Sequence, residues 1–116
     1  MVKHVTKKEF EEIISGDKTV FCDFWANWCG PCRMLGPVFE EISEKYENAV
    51  FVKVNVDDEE ELAMKYRITS IPNIIAFKGG EPISSSLGFV PASALEEFVK
   101  DCLYGSRELF PWGEQG

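Results

Sequence analysis

Two cysteines separated by two residues carry the clearest chemical signal in the sequence. Residues 28–32 read Trp-Cys-Gly-Pro-Cys and lie where an apolar segment passes into a helical pattern. At the start of a helix, unpaired backbone N–H groups and the helix dipole favour an anion, so the thiolate of Cys29 should be stabilised there. Cys32 follows three residues later on the same helical face. These two thiols could close a small disulfide and open it again.

A Cys-x-x-Cys pair is also half of a zinc site, and tetrahedral zinc normally takes two further ligands. The other His and Cys side chains in the chain are His4, Cys22 and Cys102. Cys22 lies in an apolar strand pattern and Cys102 in an apolar helical stripe, where free cysteine usually acts as a small hydrophobic side chain. The sequence therefore favours a redox pair and predicts no metal site.

Asp23 is the second residue whose position suggests chemistry. It interrupts the apolar segment 19–25, six residues before Cys29. An ionisable group inside a two-sided apolar strand is costly unless it is paired or neutralised, and desolvation should raise its pKa. Such a carboxyl could accept a proton near neutral pH, or it could be a hydrogen-bonded structural group. Its place ahead of the cysteines favours the first role, and Lys53 in the next strand pattern could hold its charge.

Length and charge limit the classes of function. The 116 residues suffice for one domain, and 12 Lys and Arg against 20 Asp and Glu give a net charge of −8. This balance argues against a nucleic acid or an anionic membrane as the main partner. The chain has no apolar run of about 18 residues and no secretory signal at its start. With only four cysteines and abundant core residues, we expect a cytoplasmic protein.

Alternating helices and strands must position these residues. The segment 19–25 is apolar on both faces, as in a central parallel strand covered by helices on each side. The first half of the chain predicts a helix that is capped by Thr6 and Glu9 and ends at Gly16, a strand over 19–25, and a helix over 29–46 that is kinked at Pro37. The second half predicts a strand over 50–56 and a short helix over 57–66. These are followed by a hairpin of 74–78 and 83–87 around Gly79-Gly80 and by a last helix through 95–102. This order predicts an α/β fold.

The chain closely resembles the thioredoxin family over about residues 4–103. The resemblance is carried by residues 24–34, by Asp23, by residues 53–57, by Ile71-Pro72 and by Gly88. It implies the thioredoxin fold, with a single central mixed β-sheet flanked by helices on both faces, over a domain of residues 1–104. Residues 105–116 have no counterpart and are expected to form a flexible tail; alternatively, Phe110 and Trp112 could dock on a partner or on the protein itself.

The resemblance also assigns chemical roles. Cys29 is expected to be the exposed nucleophile that attacks a substrate disulfide, and Cys32 the less exposed thiol that resolves the mixed disulfide. Asp23, helped by Lys53 and a water molecule, is expected to move the proton of Cys32. Pro72 is expected to follow a cis peptide bond opposite the disulfide, although without the family Ile71-Pro72 would predict only a turn before a strand.

The family further implies an apolar patch beside the disulfide, where an extended substrate docks through backbone hydrogen bonds. In this chain the patch would consist of Trp28, Gly30, Pro31, Val56, Ile71, Pro72, Gly88 and Phe89. The sequence departs from the family pattern in three places: Asn73 stands where Thr is usual, Leu35-Gly36 replaces a pattern that more often contains Ala, and Cys22 beside Asp23 is an extra thiol in the core.

The thioredoxin fold also hosts oxidants and isomerases, so the fold alone does not set the direction of electron transfer. Gly30 and Pro31 carry no charge, so no cation between the cysteines stabilises the Cys29 thiolate. A less stable thiolate favours the oxidised pair, which makes the dithiol a better electron donor. The cation of Arg33, one residue past Cys32, opposes this effect only weakly. We therefore predict a general protein-disulfide reductase. The alternatives are a disulfide oxidant or isomerase of an exported compartment, and a redox-inert subunit that uses the same patch but would need neither the cysteine pair nor Asp23.

The family implies partners as well. A thioredoxin reductase would re-reduce the chain, with NADPH and FAD on that partner and no cofactor bound here. Peroxiredoxins, methionine sulfoxide reductases and ribonucleotide reductase are the expected disulfide-containing substrates. We expect the chain to act as a monomer.

Overall fold

The structure is a computed structural model that describes residues 1–105, so the interpretations of Phe110 and Trp112 lie outside the described residues. Nine elements follow one another within these residues. They are β1 (Val2–His4), α1 (Lys7–Ile14), β2 (Val20–Trp25), α2 (Gly30–Ser43), β3 (Val50–Asn55), α3 (Glu60–Lys65), β4 (Asn73–Lys78), β5 (Glu81–Leu87) and α4 (Ala92–Tyr104). Within residues 1–105, no helix is long and apolar enough to cross a membrane.

The strands form one five-stranded sheet in the order β1-β3-β2-β4-β5. Strands β1, β3 and β2 run parallel, whereas β4 pairs antiparallel with both β2 and β5. The predicted α/β fold with a central mixed sheet is therefore confirmed, and β2 is its middle strand. The sequence does not predict β1, because three residues are too few to show an alternating pattern. Only its pairing with β3 identifies β1 as a strand.

Side chains of β2 alternate between two apolar layers. Cys22 and Phe24 face the layer formed with Phe10 of α1 and Phe77 of β4. Phe21 faces the opposite layer, which contains residues of α2 and α4, among them Leu35, Phe39 and Leu95. Because successive strand residues point to opposite faces, Asp23 lies on the same face as Phe21, beneath α2.

Local hydrogen bonds set the ends of the helices. The predicted capping box is present, since the side chain of Thr6 accepts from the Glu9 N–H and the Glu9 carboxylate accepts from the Thr6 N–H. Helix α2 contains Pro37 but ends at Ser43 rather than at residue 46, because the chain tightens into bonds such as Lys45 N–H to the Ile42 carbonyl.

Helix α3 begins at Glu60 rather than at the predicted Asp57. The side-chain oxygen of Asn55 accepts from the Asp57 N–H at 2.8 Å, and the Asn55 carbonyl accepts from the Glu59 N–H at 3.0 Å. These bonds hold the segment as a turn. The predicted hairpin is confirmed, with Gly79 and Gly80 both at positive φ, which two-residue hairpin turns of this kind require.

We predict that Phe10→Ala lowers the free energy of unfolding by about 3–5 kcal/mol. Phe10 is fully buried and packs edge-to-face on Tyr66 and Phe77, so its removal leaves a cavity between α1 and the sheet. Urea denaturation of the oxidised protein measures the change. Ile83→Ala is the matched control, because Ile83 is 48 % exposed on β5 and its truncation should cost less than about 1 kcal/mol. Equal losses in the two variants would contradict the assignment of Phe10 to the core.

Candidate active site

The cysteine pair lies at the first turn of α2, where the sequence predicts it. Cys29 is the N-cap residue, and its Sγ accepts a hydrogen bond of 3.2 Å from the backbone N–H of Cys32. Cys29 and Cys32 form a disulfide, with their Cα atoms 5.2 Å apart. Pro31 occupies the first turn, where its missing N–H deprives the helix of no bond. The helix start is thus arranged to stabilise negative charge on Cys29 when the disulfide opens.

Both sulfurs are nearly covered in the disulfide form. Cys29 is 5 % exposed and Cys32 is 2 % exposed, so the order of accessibility is as expected but Cys29 is less open than the sequence suggested. The reason is tertiary: Ala26, Val56 and Ile71 pack around the pair. The Sγ of Cys29 lies 3.8 Å from the carbonyl oxygen of Ile71.

The Ile71-Pro72 peptide bond is cis and lies against the disulfide, as the family resemblance implied. The Pro72 carbonyl accepts a 2.7 Å hydrogen bond from the Gly88 N–H, which ties the start of β4 to the residue after β5. Gly88 has a φ of 83°, a conformation that side-chain-bearing residues rarely adopt. These contacts bring Ile71, Pro72 and Gly88 together at one edge of the cysteine pair.

The eight residues of the expected patch differ in their exposure to solvent. Trp28 is 69 % exposed, Pro31 and Phe89 are exposed, and Pro72 is buried; Gly30, Val56, Ile71 and Gly88 are half-buried. The indole N–H of Trp28 donates to the Asp57 carboxylate at 2.9 Å. The sequence placed Asp57 at the start of a predicted short helix and within the family-like segment 53–57, but it did not predict this contact. The contact depends on the packing of two segments 29 residues apart, which no local pattern records.

Asp23 is fully buried, and neither of its carboxylate oxygens has a hydrogen-bond partner within residues 1–105. Burial raises the pKa of Asp23 to about 6, and the charge of Lys53 opposes this rise. Lys53 is the register partner of Asp23 on β3, and its Nζ lies 4.7 Å from the centroid of the Trp25 ring. Lys53 therefore acts on Asp23 through charge rather than through a direct hydrogen bond.

The other two cysteines are free. Cys22 is fully buried in the α1 layer, and burial followed by the charge of Asp23 raises the pKa of its thiol. Cys102 is half-buried on α4, where burial also raises its thiol pKa. Neither thiol lies near the disulfide cluster, which matches the interpretation of both as hydrophobic side chains. No three His, Cys, Asp or Glu side chains within residues 1–105 converge as a metal site would require.

A model of the thioredoxin family matches residues 1–101. The chain belongs to the thioredoxin family. A thioredoxin of Mycoplasmoides gallisepticum is 44 % identical over 100 residues, covering 85 % of this chain and all of the relative. A thioredoxin of Alicyclobacillus acidocaldarius is 46 % identical over 100 residues, covering 85 % of this chain and 95 % of the relative. Among solved structures, a Plasmodium falciparum thioredoxin superposes with a TM-score of 0.81 at 41 % identity, covering 85 % of this chain and 97 % of that one.

Membership in the thioredoxin family, together with the disulfide at the start of α2, establishes the activity. The chain is a thiol-disulfide oxidoreductase that acts as a protein-disulfide reductase. This function is favoured over an exported oxidant or isomerase and over a redox-inert subunit.

We predict that Asp23→Asn makes the oxidised protein more stable than the wild type above pH 6. The pKa of Asp23 in the folded state, about 6, exceeds the ordinary value of 3.8 that the unfolded chain is expected to show, so the folded state holds the proton more tightly than the unfolded state. Wild-type stability contributed by this group is therefore present below pH 4 and is lost as pH rises towards 6. Urea denaturation should show the variant gaining about 2–3 kcal/mol on the wild type between pH 4 and pH 7. A constant difference across this range would contradict the prediction.

Proposed function

We propose that Cys29 is the nucleophile and Cys32 the resolving thiol of the reductase. The Cys29 thiolate attacks one sulfur of a substrate disulfide, forms a mixed disulfide and releases the other substrate sulfur as a thiolate. Cys32 then loses its proton, and its thiolate attacks the Cys29 sulfur, which re-forms the Cys29–Cys32 disulfide and frees the second substrate thiolate. Two electrons pass to the substrate, whose two thiolates take up protons.

The observation that carries this assignment is the hydrogen bond from the Cys32 N–H to the Cys29 Sγ at 3.2 Å. This N–H belongs to the first helical turn, where donors have no partner within the helix. A thiolate on Cys29 strengthens such a bond because charge-assisted hydrogen bonds exceed neutral ones. Cys32 has no equivalent position, since it lies inside α2 and is 2 % exposed.

We infer that Asp23 is the base for the second step. Its carboxylate lies on the sheet face that α2 covers, and a pKa of about 6 leaves it ionised at pH 7 but able to accept a proton. Water is the expected carrier between Asp23 and the Cys32 thiol. The ammonium of Lys53 favours the ionised carboxylate and so keeps the base ready.

Substrate docking is proposed at the patch around the cis peptide bond. An extended substrate segment would lie beside Ile71 and Pro72, with its backbone hydrogen-bonded to this loop, in the manner of strand addition. Trp28, fixed by its bond to Asp57, would cover one side of the segment. Gly30, Pro31, Val56, Gly88 and Phe89 would complete the apolar rim. Family membership implies disulfide-containing substrates and a reductase partner in general terms.

The identities of the partners are proposals of the same kind. A thioredoxin reductase carrying FAD would pass electrons from NADPH to the Cys29–Cys32 disulfide, and this chain would bind neither cofactor. Peroxiredoxins, methionine sulfoxide reductase and ribonucleotide reductase are the proposed substrates. We propose a monomer working in the cytoplasm, a reducing compartment in which the free thiols of Cys22 and Cys102 persist.

We predict that Cys29→Ser abolishes reduction of insulin disulfides, because serine supplies no thiolate at neutral pH. Cys32→Ser should instead accumulate a covalent adduct with insulin, since the mixed disulfide forms but is not resolved. NADPH oxidation in the presence of a thioredoxin reductase reports turnover, and non-reducing electrophoresis reports the adduct. Cys102→Ser is the control and should retain full turnover. Normal turnover by Cys29→Ser would refute the mechanism.

We predict that Asp23→Asn slows release of the mixed disulfide on the order of 100-fold at pH 7, the lower end of what a positioned base contributes, and spares its formation. In the wild type the release rate should rise with pH through about 6, as the carboxyl ionises, and then level off. Stopped-flow measurements with a disulfide peptide separate the two steps. If the variant keeps the inflection near pH 6, Asp23 is not the base.

A further inference from the structure

Three polar side chains form a row across the parallel part of the sheet. His4 on β1 is the register partner of Lys53 on β3, and Lys53 is the register partner of Asp23 on β2. Register partners in neighbouring strands point to the same face of a sheet and are separated by about 4.8 Å. His4, Lys53 and Asp23 therefore leave the same face, one strand apart, although the first of them comes from a strand that the sequence did not predict.

The ring of Trp25 contacts two neighbouring members of this row, His4 and Lys53. The His4 ring packs against the Trp25 ring at 5.7 Å between centroids and 76°, an edge-to-face contact. The Lys53 Nζ lies 4.7 Å from the centroid of the same Trp25 ring. The indole N–H of Trp25 is buried without a hydrogen-bond partner within residues 1–105. Its ring is consequently held by packing rather than by a directional bond.

A surface cavity gives Lys53 another direction in which to turn. This cavity has a volume of about 430 Å³, and its walls include His4, Trp25 and Lys53 together with the carboxylates of Asp58 and Glu59. An ammonium that leaves the Trp25 ring would be attracted by these two carboxylates. On the other element nearby, α2, a methyl group added at Gly36 would lie 3.6 Å from the Lys53 Nζ, so the helix backbone limits movement on that side.

We propose that His4 is a positioning residue for the proton transfer at Asp23. Its ring braces Trp25, and Trp25 keeps the Lys53 ammonium beside Asp23 and away from Asp58 and Glu59. This inference rests on the roles proposed above for Asp23 and Lys53, and it adds a group that touches neither substrate nor the reacting sulfurs. The register partner of Asp23 on β4 is the apolar Ile74, and the one other titratable group coupled to Asp23 among the described residues is the thiol of Cys22, next to it on β2.

The test is the titration of the Asp23 carboxyl, followed by carbon NMR in the oxidised full-length protein. His4→Ala should move the titration upward by about half a pH unit, a fraction of the roughly one to three units that a nearby opposite charge supplies. His4→Phe restores a ring edge without a titrating group and should return the titration to that of the wild type. Lys3→Ala is the matched control, since Lys3 lies on the same strand, is exposed and points to the opposite face. It should leave the titration unchanged.

Each outcome separates this inference from the proposed function. Lys53→Met should raise the titration of Asp23 further than His4→Ala does, and absence of any shift in Lys53→Met would refute the proposed role of Lys53. If Lys53→Met shifts the titration of Asp23 but His4→Ala does not, His4 does not position Lys53 and the proposal is overturned, while the role of Lys53 stands. If His4→Phe behaves like His4→Ala, the ring contact with Trp25 is not the cause and the proposal is overturned. The release rate of the mixed disulfide should follow the same order among the variants.

Discussion

The burial of β2 between two apolar layers is the constraint on which the site depends. Its alternating side chains join the α1 layer through Cys22 and Phe24 and the α2 layer through Phe21. This packing fixes both the direction and the end point of the strand. Helix α2 begins five residues after Trp25, so a rigid β2 also fixes where the N-terminal donors of α2 point. The reactivity proposed for Cys29 therefore depends on core packing as much as on its own residue type.

The same burial produces the electrostatics of the site. Asp23 lies on the face of β2 that α2 covers, where no protein group within residues 1–105 satisfies its oxygens. A charged carboxylate in this position is destabilising, and the pKa of about 6 expresses that penalty. Lys53 reduces the penalty without removing it. A well-paired aspartate would stabilise the fold more, but its lowered pKa would make it a poorer base. The site thus keeps a destabilising group whose proton affinity suits neutral pH.

Contacts from distant segments shape the surface that a substrate would meet. The cis bond before Pro72 brings the Ile71 carbonyl to the Cys29 sulfur, and Gly88 anchors Pro72 from the end of β5. Trp28 is oriented by Asp57, which follows β3. These contacts join segments that flank four strands: Trp28 and Cys29 follow β2, Asp57 follows β3, Ile71 and Pro72 precede β4, and Gly88 follows β5. The sheet brings these segments together around the disulfide, where they form the proposed docking surface.

Local patterns accounted for most of the elements and for the reactive pair. Three features depend only on residues close together in sequence: the Thr6 capping box, the two-sided apolar run of β2 and the glycine hairpin. Each of them can therefore be predicted from the sequence alone. Two errors have different causes, one a pairing between distant strands and the other a short side-chain turn that displaces the start of a helix. Strand β1 exists because β3 pairs with it, and α3 starts late because Asn55 holds the preceding turn.

The sequence by itself determined the chemistry: a dithiol at a helix start, a carboxyl inside an apolar strand, and no cation between the cysteines. The tertiary structure decided how exposed those groups are to solvent and how far their pKa values are shifted. It covers Cys29 to 5 % exposure, holds Trp28 on Asp57, and aligns His4, Lys53 and Asp23 across three strands. The physical reason is the separation along the chain over which each interaction acts. Capping and strand alternation act over a few residues, whereas burial, charge coupling and sheet register depend on segments that only folding brings together.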